Sequence, residues 1–207
     1  MNIAQRSLEF MSGFLKSYGP SNIKKLLWNQ EFSSGKWNFI DNTAGDCVYP
    51  HLASHLHNGS ILDLGCGPGN TASELPATAY QNYVGVDISE AALDKARKRT
   101  EEAGRVGKNL FVKDDFLKYL PRQQFDVILF RESLYHVPLS KMKTVLDRYA
   151  RYLKEGGVFV VRMYGTTTKH RPKAMLSIIE GEFEVLEKSR HGEPEATVLV
   201  FKPRRLC

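Results

Sequence analysis

Residues 61–70 read Ile61-Leu62-Asp63-Leu64-Gly65-Cys66-Gly67-Pro68-Gly69-Asn70. A strand-like apolar run, carrying Asp63, enters glycines at alternate positions and then a helix start near Asn70. Glycines there permit tight turning and the close approach of a ligand that a Cβ would block. The next apolar run outward, Tyr83–Val86, ends on Asp87, 24 residues after Asp63. An acid at the tip of a second strand is placed to accept hydrogen bonds from both hydroxyls of a ribose. The loop alone is a weak signal. Loop and acid together, at the carboxyl ends of adjacent strands, are a strong one.

Leu110–Val112, Val127–Phe130 and Val158–Met163 are also continuous rather than alternating, which predicts strands buried on both faces of a parallel sheet. Helical patterns separate them. Ser89 is placed to cap a helix that turns Ala92, Leu93 and Ala96 inward and Lys95, Arg97, Lys98 and Arg99 to water. A second helix is expected from Ser140 through Met142, Val145, Leu146, Tyr149 and Leu153, ending at Gly156-Gly157, and a short third one after Pro172. Phe183–Glu187 and Thr197–Phe201, split by the turn-rich His191–Glu195, predict an antiparallel hairpin at one sheet edge. The fold expected is α/β: a doubly wound, Rossmann-like, seven-stranded sheet, mostly parallel with a C-terminal antiparallel hairpin. This core is assigned to residues 60–207, behind an N-terminal helical extension over 1–59.

Composition excludes several classes. The chain has 207 residues, 42% apolar and 25% charged, which is ordinary globular usage and long enough to bury a core without staples. A net charge of +6 favours anionic partners weakly and falls short of a nucleic-acid stripe. Cys47, Cys66 and Cys207 are odd in number and lack metal spacing, which fits a reducing compartment. No run approaches membrane-spanning length, and the N-terminus lacks a signal-peptide pattern, so a cytoplasmic location without a membrane partner is expected.

Two cofactor classes use a glycine loop followed by a ribose acid. A dinucleotide enzyme would show GxGxxG, with pyrophosphate at the helix N-terminus. Here the spacing is GxGxG, and Asp63 would repel a diphosphate while suiting the ammonium of an amino acid. The segment resembles the first signature of class I S-adenosylmethionine-dependent methyltransferases, hhDhGCGxG, matched by Ile61–Gly69. Lys113-Asp-Asp-Phe116, Gln124–Phe130 and Leu153–Val158 match later motifs in the family's order, and the resemblance covers about residues 60–202. It implies S-adenosyl-L-methionine as cofactor, S-adenosyl-L-homocysteine as product and no metal. It also implies cofactor contacts from Asp63, Gly65, Cys66, Gly67, Asn70, Asp87, Ile88, Phe116, Arg131 and Trp37. Asp115 is assigned to the adenine amino group, with Asp114 as the alternative, because family members often carry Gly where Asp114 stands.

Substrate chemistry is expected in Phe130–Val137, after the fourth strand. His136 titrates near neutrality and is the candidate base; packing beneath the loop is its alternative. Tyr135 is a second catalytic candidate and a substrate contact. Glu132 is read as orienting an amine or the methionine part of the cofactor, or as pairing with Arg131. Tyr164 opens a loop, Tyr164–Arg171, that faces the ligand side, where Lys169, His170 and Arg171 either hold an anionic group or are solvated. His51, His55 and His57 include a zinc-capable i,i+4 pair, but with no glutamate placed to help, a solvated helix face is expected.

Ahead of the core, Ile3, Leu8, Met11, Leu15 and Tyr18 recur at helical spacing, as do Ile23, Leu26 and Leu27. Trp28, Phe32, Trp37 and Phe39 follow as an aromatic group. The first 45 residues are read as a lid over cofactor and acceptor. Signature motifs of nucleic-acid amine, cytosine C5 and protein arginine methylation are absent. The acceptor expected is therefore the N or O of a small molecule, without nucleic acid, in a monomer or homodimer. The alternatives are an RNA or protein methyltransferase, or a non-catalytic cofactor binder.

Overall fold

A computed structural model describes residues 3–40, 43–192 and 195–204, with side chains from residue 10 onward. The N-terminal part comprises α1 (Ile3–Tyr18), α2 (Ser21–Ser33), a 3₁₀ turn (Asn38–Ile40) and α3 (Val48–Leu56). The core follows as β1 (Ser60–Leu64), α4 (Asn70–Glu74), β2 (Asn82–Asp87), α5 (Glu90–Glu102), β3 (Asn109–Lys113) and β4 (Phe125–Arg131). A second 3₁₀ turn (Leu134–His136) leads to α6 (Leu139–Ala150), β5 (Leu153–Tyr164), α7 (His170–Glu182), β6 (Phe183–His191) and β7 (Ala196–Pro203). The strands form one sheet in the order β3-β2-β1-β4-β5-β7-β6. Pairing is parallel from β3 through β5 and antiparallel for β7 with β5 and β6. This is the doubly wound, seven-stranded sheet expected, with the order reversing beside β1.

The strands are continuously apolar because helices cover both faces. Alternate residues point to opposite sides: Leu62, Ile128, Phe130 and Phe159 pack toward α6 and α7, with Met142, Tyr149, Met175 and Ile179. Ile61, Val127, Leu129 and Val160 pack the other way, with Val48, Leu52 and Leu56 of α3. So α3 is core, and the segment that does not contribute to the sheet layers ends before it.

Several local expectations are corrected. Pro138 takes the N-cap position of α6, so Ser140 lies within its first turn rather than capping it. That helix stops at Ala150, and Leu153 already pairs with Phe125, because the chain re-enters the sheet through a bulge around Gly156 (φ +77°). α7 starts two residues ahead of Pro172, whose missing N–H costs nothing in a first turn. The inward side of α1 carries Lys16 and Ser17, not the predicted apolar stripe; Met11 and Tyr18 are exposed. The side chains of Ile3 and Leu8, and Cys207, lie outside the described residues; Cys47 and Cys66 are free thiols. Among the described residues no helix is long and apolar enough to cross a membrane.

Candidate active site

The glycine loop after β1 is built from left-handed backbone: φ is +83° at Gly65, +53° at Gly67 and +75° at Gly69. A Cβ at Gly65 would sit 2.5 Å from Cβ of Ser133, and one at Gly69 would sit 2.7 Å from Cβ of Ala96. At Gly67 the nearest atom would be Cζ of Phe32, 3.7 Å away, an ordinary contact, so its left-handed backbone rather than crowding is what favours glycine there. Asp87 fastens the loop: one carboxylate oxygen accepts from the Gly67 N–H and the other from the Ser89 N–H, both at 2.9 Å. Burial raises the Asp87 pKa against these bonds.

The loop forms one wall of a cavity of about 830 Å³ at the carboxyl ends of the strands, where a doubly wound sheet binds ligands. The N-terminal segment forms the opposite wall. Nearly all the sequence-predicted positions meet there: Asp63, Gly65, Cys66, Gly67, Asn70, Asp87, Ile88, Asp115, Phe116, Arg131, Trp37, Glu132, Tyr135, His136 and Tyr164. Asp114 does not line it; its carboxylate accepts from the Asp115 N–H at 2.7 Å. Of the two candidate acids, the register therefore brings Asp115 to the cavity.

Asp63 is 1% exposed, and its Oδ2 accepts from the Tyr83 hydroxyl at 2.6 Å, while its Oδ1 is buried without a hydrogen bond of normal geometry. Burial pushes its pKa up to about 6, against the Tyr83 bond, the Arg131 charge and the nearby Thr71 side chain. Asp115 is engaged by the N-terminal segment: Ser21 Oγ donates to it at 2.9 Å, and Lys24 Nζ stands 3.7 Å away. Asn70 is similarly engaged, donating to Ile40 O at 2.5 Å and accepting from Arg99 at 2.5 Å. The Trp37 indole N–H donates to Glu31 at 3.0 Å, and its ring lies 5.8 Å from that of Trp28.

Beyond β4 and β5 lies a charged network whose full membership the sequence did not suggest. Asp46 accepts from Arg131 at 2.7 Å and from Arg162 at 3.1 Å. Arg162 also donates to Glu132 at 2.5 Å and stacks 4.1 Å from the Tyr164 ring. The Tyr135 hydroxyl donates to the second Glu132 oxygen. Glu132 thus pairs with Arg162 rather than Arg131, from a backbone held at φ +55°. A non-glycine residue in that region is strained, as residues at functional sites often are. Burial raises the Glu132 pKa against the pull of Arg162 and Tyr135. Asp46 goes the other way: burial opposes ionisation but Arg131, the Val48 N–H and Arg162 outweigh it.

His136 packs edge-on against Trp28, ring centroids 4.9 Å apart. Burial, then the positive charges of Lys16, Arg171 and Lys24, push its pKa down to about 4. It is a neutral imidazole at physiological pH. Arg171 itself donates to Val137 O at 2.9 Å, outside the cavity.

Asp46, Arg162, Lys16 and Lys24 were missed. An apolar strand such as Val158–Met163 gives one cue, an arginine where only apolar residues are expected. The other three carry none. The histidine face of α3 is likewise corrected: His51 and His55 each contact one oxygen of Glu187, at 2.6 and 2.7 Å, so the glutamate absent nearby in sequence arrives from β6. Among the described residues, even so, no group of three or more ligands is arranged to hold a metal ion.

Comparison with known proteins agrees with this geometry. Residues 61–157 match the methyltransferase domain family. The chain is 30% identical over 136 residues to the sterol 24-C-methyltransferase erg6 of Aspergillus fumigatus, covering 60% of this chain and 36% of that one. It is 32% identical over 158 residues to the ubiquinone biosynthesis O-methyltransferase of Actinobacillus pleuropneumoniae, covering 74% and 64%. The chain thus spans between about a third and just under two thirds of these two relatives. Its fold is shared by the 1,6-didemethyltoxoflavin-N1-methyltransferase of Burkholderia thailandensis, solved with S-adenosylhomocysteine (TM-score 0.72, 17% identity, 87% of each chain). It is shared too by the N-methyltransferase NodS of Bradyrhizobium japonicum (TM-score 0.68, 18% identity, 86% of this chain and 99% of that one). Motif order, sheet order and these matches agree: residues 61–157 carry a methyltransferase domain, and the chain is similar to S-adenosylmethionine-dependent methyltransferases in sequence and in fold.

Proposed function

We propose that the protein transfers a methyl group from S-adenosyl-L-methionine to a nitrogen or oxygen of a small-molecule acceptor, releasing S-adenosyl-L-homocysteine. The observation that carries this reading is buried Asp63 in the cavity wall, whose Oδ1 has no hydrogen bond within normal geometry, with the Thr71 side chain near the carboxylate favouring its charge. A ligand ammonium there would satisfy that oxygen and draw the acid into its ionised form. Each Asp87 oxygen, having accepted one N–H, keeps a lone pair for a ribose hydroxyl. Asp115 is the acceptor for the adenine amino group, with Ile88 and Phe116 lining the base pocket.

The bound cofactor supplies an electrophilic sulfonium methyl. The chain's part is to position the acceptor in line with it and to keep water out. Trp28, Phe32, Trp37 and Phe39 close the cavity from the N-terminal side, so residues 1–45 act as a lid. Arg162 holds Glu132, which holds Tyr135, fixing both groups beside the acceptor. His136, kept neutral, accepts the acceptor's proton or orients it through a hydrogen bond. A small acceptor is supported by the cavity volume, within the usual range of small-molecule sites, and by relatives named for sterol and ubiquinone biosynthesis chemistry.

Calorimetric titration should show saturable binding of S-adenosyl-L-methionine and none of NADH. Mass spectrometry of an extract treated with protein and methyl-labelled cofactor should then place label in the small-molecule fraction. Absence of cofactor binding would remove the reading; label in RNA or protein would replace its acceptor.

A further inference from the structure

α1 is inside-out. Phe10, Phe14 and Tyr18 stand four residues apart and so share one stripe, with Met11 at its border. They are 76%, 55%, 51% and 58% exposed, and the rings of Phe14 and Tyr18 stack 5.0 Å apart. Lys16 and Ser17 are the residues turned inward, Lys16 bonding Glu31. A helix that served only to cover the cavity would point its aromatics at it. Leu26 of α2 extends the exposed apolar surface of this segment.

Charge near the stripe is predominantly basic, although Glu9 precedes it in sequence and buried Lys16 and Lys24 face Glu31 and Asp115. Residues 10–30 contain Lys16, Lys24 and Lys25 and no acid. Residues 164–179 contain Lys169, His170, Arg171 and Lys173 and again no acid. The two stretches meet in space: the Arg171 guanidinium lies 5.7 Å from the Tyr18 ring, and α1 and α7 both pack on the turn Leu134–His136. Lys25, Lys169, His170 and Lys173 are exposed.

We propose that this face docks on an anionic lipid surface. Phe10, Met11, Phe14 and Tyr18 enter the boundary between headgroups and acyl chains, and the exposed Lys169 and Lys173 meet the headgroup charge. A second copy of the chain is the poorer occupant, because a symmetric contact would oppose the exposed Lys25, Lys169, His170 and Lys173 of one copy to those of the other. The lack of a spanning segment, from which no membrane partner is expected, does not bear on a surface contact of this kind. The contact places the lid at the membrane, where its opening would face a lipid-dissolved acceptor.

The test is co-sedimentation of the full chain with phosphatidylcholine vesicles containing about a third phosphatidylserine at low salt. The protein should pellet, and binding should fall roughly tenfold with pure phosphatidylcholine or at about 0.5 M salt. The double variant Phe10→Ser, Phe14→Ser should stay in the supernatant with its melting temperature essentially unchanged, since both side chains are exposed and neither lines the cavity. Lys169→Glu with Lys173→Glu should weaken binding to the anionic vesicles alone. The proposal fails if the wild type pellets with neither vesicle, or if the double serine variant pellets as the wild type does. It fails equally if ultracentrifugation shows a dimer that the serine substitutions abolish, which would put a second copy on the stripe.

Discussion

In β1 every residue from Ser60 to Leu64 is buried, and its apolar side chains fill both faces of the sheet. In α1 the buried residues among those described are Lys16 and Ser17, while Phe10, Met11, Phe14 and Tyr18 face out. The sheet is held by dispersion and hydrophobic burial, which are lost only by unfolding. Much of what fastens the N-terminal segment is polar: Lys16, Lys36 and Trp37 on Glu31, Ser21 on Asp115, Asn70 on Ile40 and the Ala91 N–H on Asn29. Such bonds exchange with water at low net cost. One region can therefore open while the other stays folded, as a site that must admit and enclose its ligands requires.

The strongest way to break this contrast is to delete residues 1–45. Turnover should fall roughly 10²-fold or more as positioning and water exclusion are lost, while cooperative melting persists. Loss of the melting transition would show that the segment is core. Next, Asp87→Ala should weaken S-adenosyl-L-methionine roughly 10²–10⁴-fold, from two charge-assisted bonds of about 1.5–3 kcal/mol each. Some stability should go too, since the Gly67 and Ser89 N–H groups lose their acceptor. Unchanged affinity by calorimetry in a folded variant would refute the ribose assignment.

Within the cavity, Arg162→Gln should cost about 3–5 kcal/mol of stability by leaving Asp46 and Glu132 without their shared cation. Denaturant unfolding measures it; a loss under 1 kcal/mol would mean the network is solvated. His136 gives a pH signature. Its pKa is about 4 in the fold against 6.5 for the free group, so the unfolded chain binds the extra proton between those values. Stability should therefore fall as pH drops from 6.5 to 4, by on the order of 3 kcal/mol in total, and His136→Asn should remove that slope. If His136 is the base, the acidic limb of the rate profile lies near pH 4, not at the 6–7 of an unperturbed imidazole. The smallest effect is expected from Glu31→Gln, which unlatches α1 and Trp37. Melting should shift by no more than roughly 2–4 °C, with a larger proportional loss in turnover. The reverse proportion would count against a lid.

The cofactor half of the site was legible because it is local. Ile61–Asn70 carries its strand, its turn glycines and its helix start in ten consecutive residues, and Asp87 follows at the end of the next strand. The acceptor half was legible only in part. Tyr135, His136 and Glu132 follow β4 directly, so their place in the cavity could be expected, but their partners could not.

Residue order by itself determined the sheet, its parallel and antiparallel parts, and the glycine loop with its two acids. Period, continuity of apolar runs and turn chemistry are properties of neighbours along the chain. Only the tertiary structure decided that Asp46 would bridge Arg131 and Arg162, 85 and 116 residues away, that Glu187 would join His51 and His55, and that His136 would be held neutral among cations. It also decided which side of α1 meets the cavity. A helical repeat shows that a helix has two faces; which face turns inward depends on what the rest of the fold presents to it, and here it presents the carboxylate of Glu31 to Lys16.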